Sequence, residues 1–225
     1  MTFRGTAAAI NTAMNGLSFA PTADYNGGAT LTLASKDSVL LSLDIDVDLE
    51  ARYEFSGNAN DTGSGAAQNG TLTNGASIVT DATRGEVLSL DGANDFVDLS
   101  SSVASFAALS QGTIAGWIKA TGTLETIFSI SDTADTGSTA TLMLGASGYL
   151  TFSVIENGVA QLDVYRHSAA INDGNWHHVA VTVGASGNRL YVDGVQASAS
   201  DLTYDAGNAT TQRFFNNVTS LDAMA

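Results

Sequence analysis

Cysteine is absent from the 225 residues, so neither a disulfide nor a thiolate metal site can hold this chain together. Basic charge is scarce: eight lysines and arginines stand against 23 aspartates and glutamates, a formal charge of −15. Nucleic acid is thereby excluded as a partner, because phosphate binding runs on clustered Lys and Arg. The excess of acid keeps a surface solvated and can attract divalent cations, which prefer carboxylate and carbonyl oxygens. Long apolar runs are missing too. None approaches the roughly 18 uncharged residues of a membrane-spanning helix, so no membrane insertion is expected. The first twenty residues are mildly apolar, but Asn11, Thr12, Asn15 and Gly16 interrupt them and only Arg4 supplies a basic start. They do not read as a signal peptide. Proline occurs once, at Pro21.

What is present is strand punctuation. Apolar segments alternate or run for four to eight residues and are separated by Gly, Asn, Asp, Ser and Thr. The pattern predicts strands over Ala29 to Leu33, Val39 to Leu49, Glu86 to Leu90, Phe96 to Leu99, Gly112 to Lys119, Glu125 to Ser129, Thr139 to Leu144, Tyr149 to Ile155, Ala160 to Tyr165, Trp176 to Val183 and Asn188 to Val192. Helix is confined to Thr6 to Asn15 and a turn around Ser101 to Leu109. Asn157-Gly158 and Asp193-Gly194 predict hairpins, since these dipeptides populate the positive φ angles of tight turns. Within WHHVAVTV, His177, Val179, Val181 and Val183 share one face and Trp176, His178, Ala180 and Thr182 the other. Apolar residues on both faces predict a central strand, paired antiparallel through the short loop 184–187 with NRLYVDG.

Composition shifts near residue 50, where LLSLDIDVDLE gives way to a stretch rich in Gly, Asn and Ala. Beyond it, four stretches carry a resemblance in the right order: ARYEFSGNANDTGSGAAQNGTLTNGASI, as an opening strand with Tyr53 and Phe55; RGEVLSLDGANDFVDL, with Asp91-Gly92 and Asp95; GTIAGWIKA, with Trp117; and DGNWHHVAVTVGASGNRLYVDGV, with Trp176. Together, over about Glu50 to Asp201, they resemble the laminin G-like, concanavalin A-like jelly rolls. The resemblance implies an all-β antiparallel sandwich cored by Trp117 and Trp176. Such domains close with an Ile-Gly strand and an acidic final strand, and this chain stops at SLDAMA, where that motif would begin. The expectation is a jelly roll over 49–225 lacking its last one or two strands, with an unpaired edge unless Val39 to Leu49 substitutes. Residues 1–48, with Leu17, Phe19, Pro21, Asn26 and Gly27, resemble the second half of a cadherin-like or immunoglobulin-like repeat of bacterial surface adhesins. Half a repeat cannot bury its own sheet, so this part is expected to be a fragment of a larger protein or an accessory hairpin.

Candidate sites are weighed against plainer roles. Asp44, Asp46, Asp48 and Glu50 line one strand face, which reads as a solvated edge or as a calcium site at the junction. Asp91 and Asn94 are ordinary turn formers, while Asp95 and Asp98 are candidate calcium ligands. Asp132 and Asp135 lie where the resemblance, pentraxins included, places part of a calcium site. Tyr149, Tyr165 and Tyr204 are the aromatics able to stack on sugar, with core roles open to the first two. His177 and His178 face opposite sides and cannot clamp one metal, and His167 is isolated. No Gly-x-Ser-x-Gly elbow, phosphate loop or His-Glu-x-x-His helix occurs. The resemblance therefore implies a non-catalytic module of a secreted or cell-surface adhesion protein, its rim loops binding glycan or a surface or matrix protein, with calcium as the candidate cofactor. The alternatives are a glycoside hydrolase or lyase, whose best strand-borne carboxylates are Glu156 and Asp163, and a structural spacer.

Overall fold

In the segment TATLML every second side chain vanishes from solvent: Ala140, Leu142 and Leu144 are buried while Thr139, Thr141 and Met143 are not. Period two is a strand's signature, and it recurs along the chain. The computed structural model describes residues 49–63, 65–134, 137–185, 187–197, 202–204, 214–215 and 223–225, all within one compact unit, Asp44–Ala225. The expectations for residues 1–48 lie outside the described residues.

Two sheets form the sandwich. The larger takes β6 (Glu125–Ser131), β7 (Thr139–Leu144), β8 (Tyr149–Glu156), β9 (Val159–Ala170), β13 (Leu202–Tyr204) and β14 (Ala223–Met224) in the order β13-β9-β8-β7-β6-β14. The smaller takes β5 (Gly112–Lys119), β10 (Trp176–Gly184), β11 (Gly187–Val192) and β12 (Val195–Gln196) in the order β12-β11-β10-β5. Hairpin β2 (Ser77–Asp81) with β3 (Gly85–Ser89), and the pair β1 (Thr71–Thr73) with β4 (Phe96–Asp98), complete the β-structure of the described residues. Every pairing is antiparallel. β10 is bonded on both sides, as its two apolar faces require.

The core lies between the sheets. Ile130, Leu142, Leu144, Leu150, Phe152, Val154 and Leu162 of the large sheet meet Val179, Val181, Leu190 and Val192 of the small one. A single-turn helix, α1 (Val103–Ala107), buries Phe106, whose ring lies 6.4 Å from Phe128. Phe128 stacks on Phe215, and Phe215 on Phe214 at 4.0 Å between centroids. These aromatics are held by area burial plus offset stacking. Both expected hairpins form. Asn157 and Gly158, and Asp193 and Gly194, all have φ between 48° and 80°, the mirror-image turn that matches strand twist. At the chain's end Ala223 and Met224 pair with Ser131 and Ile130, and Ala225 exchanges two backbone hydrogen bonds with Ser129.

Three expectations are corrected. Trp117 is not core: it is 50% exposed, because Ile114 and Ile118 occupy the inward parity of β5 and leave Trp117 outward with Thr113, Ala115 and Lys119. Trp176 lies opposite Lys119 on that same outer face and is only partly buried. The opening strand is reduced to one bridge, Tyr53 to Asp61, since Phe55 takes φ 54° and cannot extend it. In compensation the Asp61 carboxylate gathers the backbone N–H groups of Arg52, Gly63 and Gln68. Strands β1 and β2, in a stretch rich in Gly, Asn and Thr, went unpredicted.

Candidate functional site: a groove on the large sheet

Burial of Leu150, Phe152 and Val154 turns Tyr149, Thr151 and Ser153 to the outer face of β8. β7 places Met143 directly opposite Thr151, and β9 places Arg166 opposite Thr151 on the other side. Counted from the hairpin, β9 reaches that register through two shifts against β8, and a third follows between Thr151 and Tyr149, dislocations that re-aim side chains locally. With Leu124 and the turn 145–147, these residues line an open groove of about 390 Å³. Its central feature is the Arg166 guanidinium, 5.2 Å from the Tyr149 ring centroid. That is cation–π range, which leaves guanidinium N–H groups and the tyrosine edge available to a ligand. The Thr151 hydroxyl donates to the Met143 carbonyl at 3.2 Å and is thereby oriented. None of the lining residues is a carboxylate.

Of the tyrosines expected to meet sugar, Tyr149 is therefore in the groove. Tyr165 lies on β9 and Tyr204 on β13, with their side chains outside the described residues. Arg166 was missed: an arginine between Tyr165 and His167 carries no spacing that marks it, and only the shifted register brings it over Tyr149.

The rim acids are engaged in turns. Asp95 accepts the backbone N–H of Asp91 at 3.0 Å, and Asp91 accepts that of Ala93 at 2.8 Å. Asp98 accepts the N–H of Ser100, and Asp132 that of Ala134. Asp135 and the ladder residues Asp44, Asp46 and Asp48 lie outside the described residues, while Glu50 accepts a hydrogen bond from Gln68 Nε2. Among the described residues no three of His, Cys, Asp and Glu converge as a metal site would require. Glu156 ends β8 at the hairpin and accepts from Asn157 Nδ2, and the Asp163 side chain is outside the described residues.

The histidines separate as their strand parity demands. His178 stands edge-on to Trp117 on the outer face. His177 is clasped between two loops: Nδ1 to Asp193 Oδ2 at 2.7 Å and Nε2 to Asp173 Oδ1 at 3.0 Å. Both partners are carboxylates, which only accept, so the imidazolium is the form of the ring that can donate to both at once. The hydrogen bond to Asp193 raises the His177 pKa, partial burial opposes it, and Asp173 adds to the rise. Asp173 is drawn down to about 2, first by the Asn175 side-chain and backbone N–H groups and then by His177. Asp193 is lowered by His177 and by the His178 N–H it accepts. His167, buried, is satisfied by the Ala169 N–H and the Val195 carbonyl.

Among solved structures, the fold is similar to domain 4 of AbnA, a GH43 extracellular arabinanase from Geobacillus stearothermophilus determined with arabinotriose: 17% identity over 74% of this chain and 76% of that one, TM-score 0.52. The CBM40 of the Ruminococcus gnavus IT-sialidase, bound to α2,3-sialyllactose, aligns at 18% identity over 56% of this chain and 69% of that one, TM-score 0.46. Domains LG4-5 of the mouse laminin α1 chain align at 22% identity over 45% of this chain and 25% of that one, TM-score 0.34. A search of the curated proteins finds no match. A family model described as the concanavalin A-like lectin/glucanases superfamily matches residues 91–219, more than half of the sequence, and the chain belongs to that superfamily.

Proposed function

We propose that this chain is a non-catalytic glycan-binding module of a protein that works outside the cell or on its surface, with the large-sheet groove as the sugar seat. One observation carries the reading: the groove pairs an aromatic ring with a guanidinium and sets hydroxyls beside them, the mixture of stacking face and directional donors that a sugar ring uses. Supporting it, the groove offers none of the paired carboxyls that glycoside cleavage needs. The similar arabinanase domain was determined with arabinotriose, and that trisaccharide is the first probe to try. Rim calcium at Asp95, Asp98, Asp132 and Asp135 belongs to the proposal as a separate part, read by calorimetric titration with the ion.

The test is glycan-array screening followed by titration of the best neutral oligosaccharide into wild type, Tyr149→Ala and Arg166→Gln. Loss of about tenfold or more in affinity in each variant is expected, because one stacking or charge-assisted contact is worth about 1.4 kcal/mol. Release of reducing sugar would overturn the non-catalytic reading. Glycan-array silence from a folded chain would leave the spacer reading in its place.

A further inference from the structure

The small sheet turns a second, chemically different face to solvent. Strand register fixes its membership: Lys119 lies opposite Trp176, Trp117 opposite His178, and Arg189 opposite Thr182. Tyr191 lies opposite Ala180, which in turn lies opposite Ala115, so two aromatics flank a shelf of small residues. None of the side chains that β5, β10, β11 and β12 place on this face is a carboxylate. In a chain with 23 acids against eight lysines and arginines, a sheet face that bears Lys119 and Arg189 and no acid of its own is set apart by its charge.

Hairpin β2–β3 adds a third cation to Lys119 and Arg189. Asp81 accepts the backbone N–H groups of Thr83 and Arg84 at 2.8 and 3.0 Å, which fixes the turn and delivers the Arg84 side chain onto the sheet. Its Cζ lies 3.4 Å from the Trp117 ring centroid and 5.3 Å from that of Trp176. Asp81 is the nearby acid, but it is held below the usual carboxylate range by those two N–H groups and is paired with Lys119 at 3.5 Å. The Trp176 indole N–H also acts on its titration, although Nε1 itself finds no partner in bonding geometry. Glu86, the other hairpin acid, accepts the Ser56 hydroxyl. The Arg84 guanidinium has no ion-pair partner among the described residues, and the indole beneath it stays half exposed.

A guanidinium held over an indole at 3.4 Å can turn an N–H fork outward, and that fork matches the two oxygens of a carboxylate. The half of the indole that Arg84 leaves exposed, beside a shelf of small residues, is available to the apolar face of a pyranose ring. One kind of residue presents both features, a sugar acid. We propose that this face is a second seat, for a hexuronate-containing glycan, in which Trp117 stacks on the ring and Arg84 takes the carboxylate. The proposal rests on the glycan-binding reading but places the acidic ligand on the layer opposite the groove. An acidic polypeptide would use the cations without needing Trp117, and it serves as the competing occupant in the test.

The experiment is calorimetric titration of the full chain with trigalacturonate, its methyl ester and poly-glutamate, using wild type, Trp117→Ala, Arg84→Gln, Arg84→Lys and the groove variant Tyr149→Ala. Trigalacturonate should bind wild type, lose about tenfold or more in Trp117→Ala and Arg84→Gln, recover in part in Arg84→Lys, and be unaffected by Tyr149→Ala. The methyl ester should bind as weakly as the acid binds Arg84→Gln. Arg84 is exposed on the surface, so its variants report even if Trp117→Ala fails to fold. Equal binding by Arg84→Gln, equal binding of poly-glutamate, or self-association that masks the face overturns the proposal. If trigalacturonate binding is lost in Tyr149→Ala instead, or only neutral sugars bind, the second seat falls and the groove reading survives. Silence toward every sugar defeats both.

Discussion

The His177 clasp predicts a pH-dependent stability that can be worked through. Asp193→Asn is the clean perturbation. Asp193 sits at φ 48°, a conformation that asparagine tolerates, so the hairpin turn survives the change. Oδ1 still accepts the His178 N–H, while the oxygen facing His177 Nδ1 becomes an NH2 group that cannot accept a hydrogen bond. What disappears is one charge-assisted hydrogen bond to a ring whose side chain is 16% exposed, with a partner that is about half exposed. Allowing for solvent screening, that contact is worth about 1 kcal/mol, or roughly 2–4 °C in Tm for a unit of this size. The sign follows from the shifts. His177 has its folded pKa raised above 6.5, so its contribution is complete below 6.5 and is lost as pH rises through the folded value. Asp173 and Asp193 have folded values lowered from 3.8, Asp173 to about 2, so their part is present above 3.8 and is lost in strong acid. The clasp is therefore at full strength between about pH 4 and 6.5 and relaxes at alkaline pH. Thermal unfolding across pH 4 to 10, with NMR titration of the His177 ring, reads it. Wild type and Asp193→Asn should differ most near pH 5 and converge toward pH 10. A gap that stays constant or widens with pH would refute the assignment of His177 as the cation.

Other variants probe the layers. Phe152, 1% exposed at the middle of the core, should cost about 3–5 kcal/mol when truncated in Phe152→Ala, read from denaturant midpoints. Gly158 has φ 71° with open space where a methyl would stand, so Gly158→Ala should cost only the left-handed backbone penalty of about 1 kcal/mol. Gly148 has a similar φ, but an added methyl would strike the Asn172 side chain, so Gly148→Ala should lose more stability and also weaken ligand binding at the adjoining groove turn. Acrylamide should quench mainly Trp117, so Trp117→Phe should leave a blue-shifted, quench-resistant emission from Trp176.

By itself the sequence determined the strands that carry strict alternation. Gly112–Lys119 and Thr139–Leu144 begin and end where the pattern says, and Asn157-Gly158 and Asp193-Gly194 turn as their backbone preferences dictate. Opposite faces for His177 and His178 followed from the same period of two. Alternation divides a strand into two faces without saying which one is covered, so it could not correct the resemblance, which implies Trp117 in the core where the structure turns it outward. Only tertiary structure decided this, by giving the inward parity to Ile114 and Ile118. It also brought Arg166 over Tyr149 through register shifts, and Arg84 over Trp117 through a hairpin distant in the chain. Those arginine–aromatic pairs depend on contacts between distant segments, which no local pattern encodes.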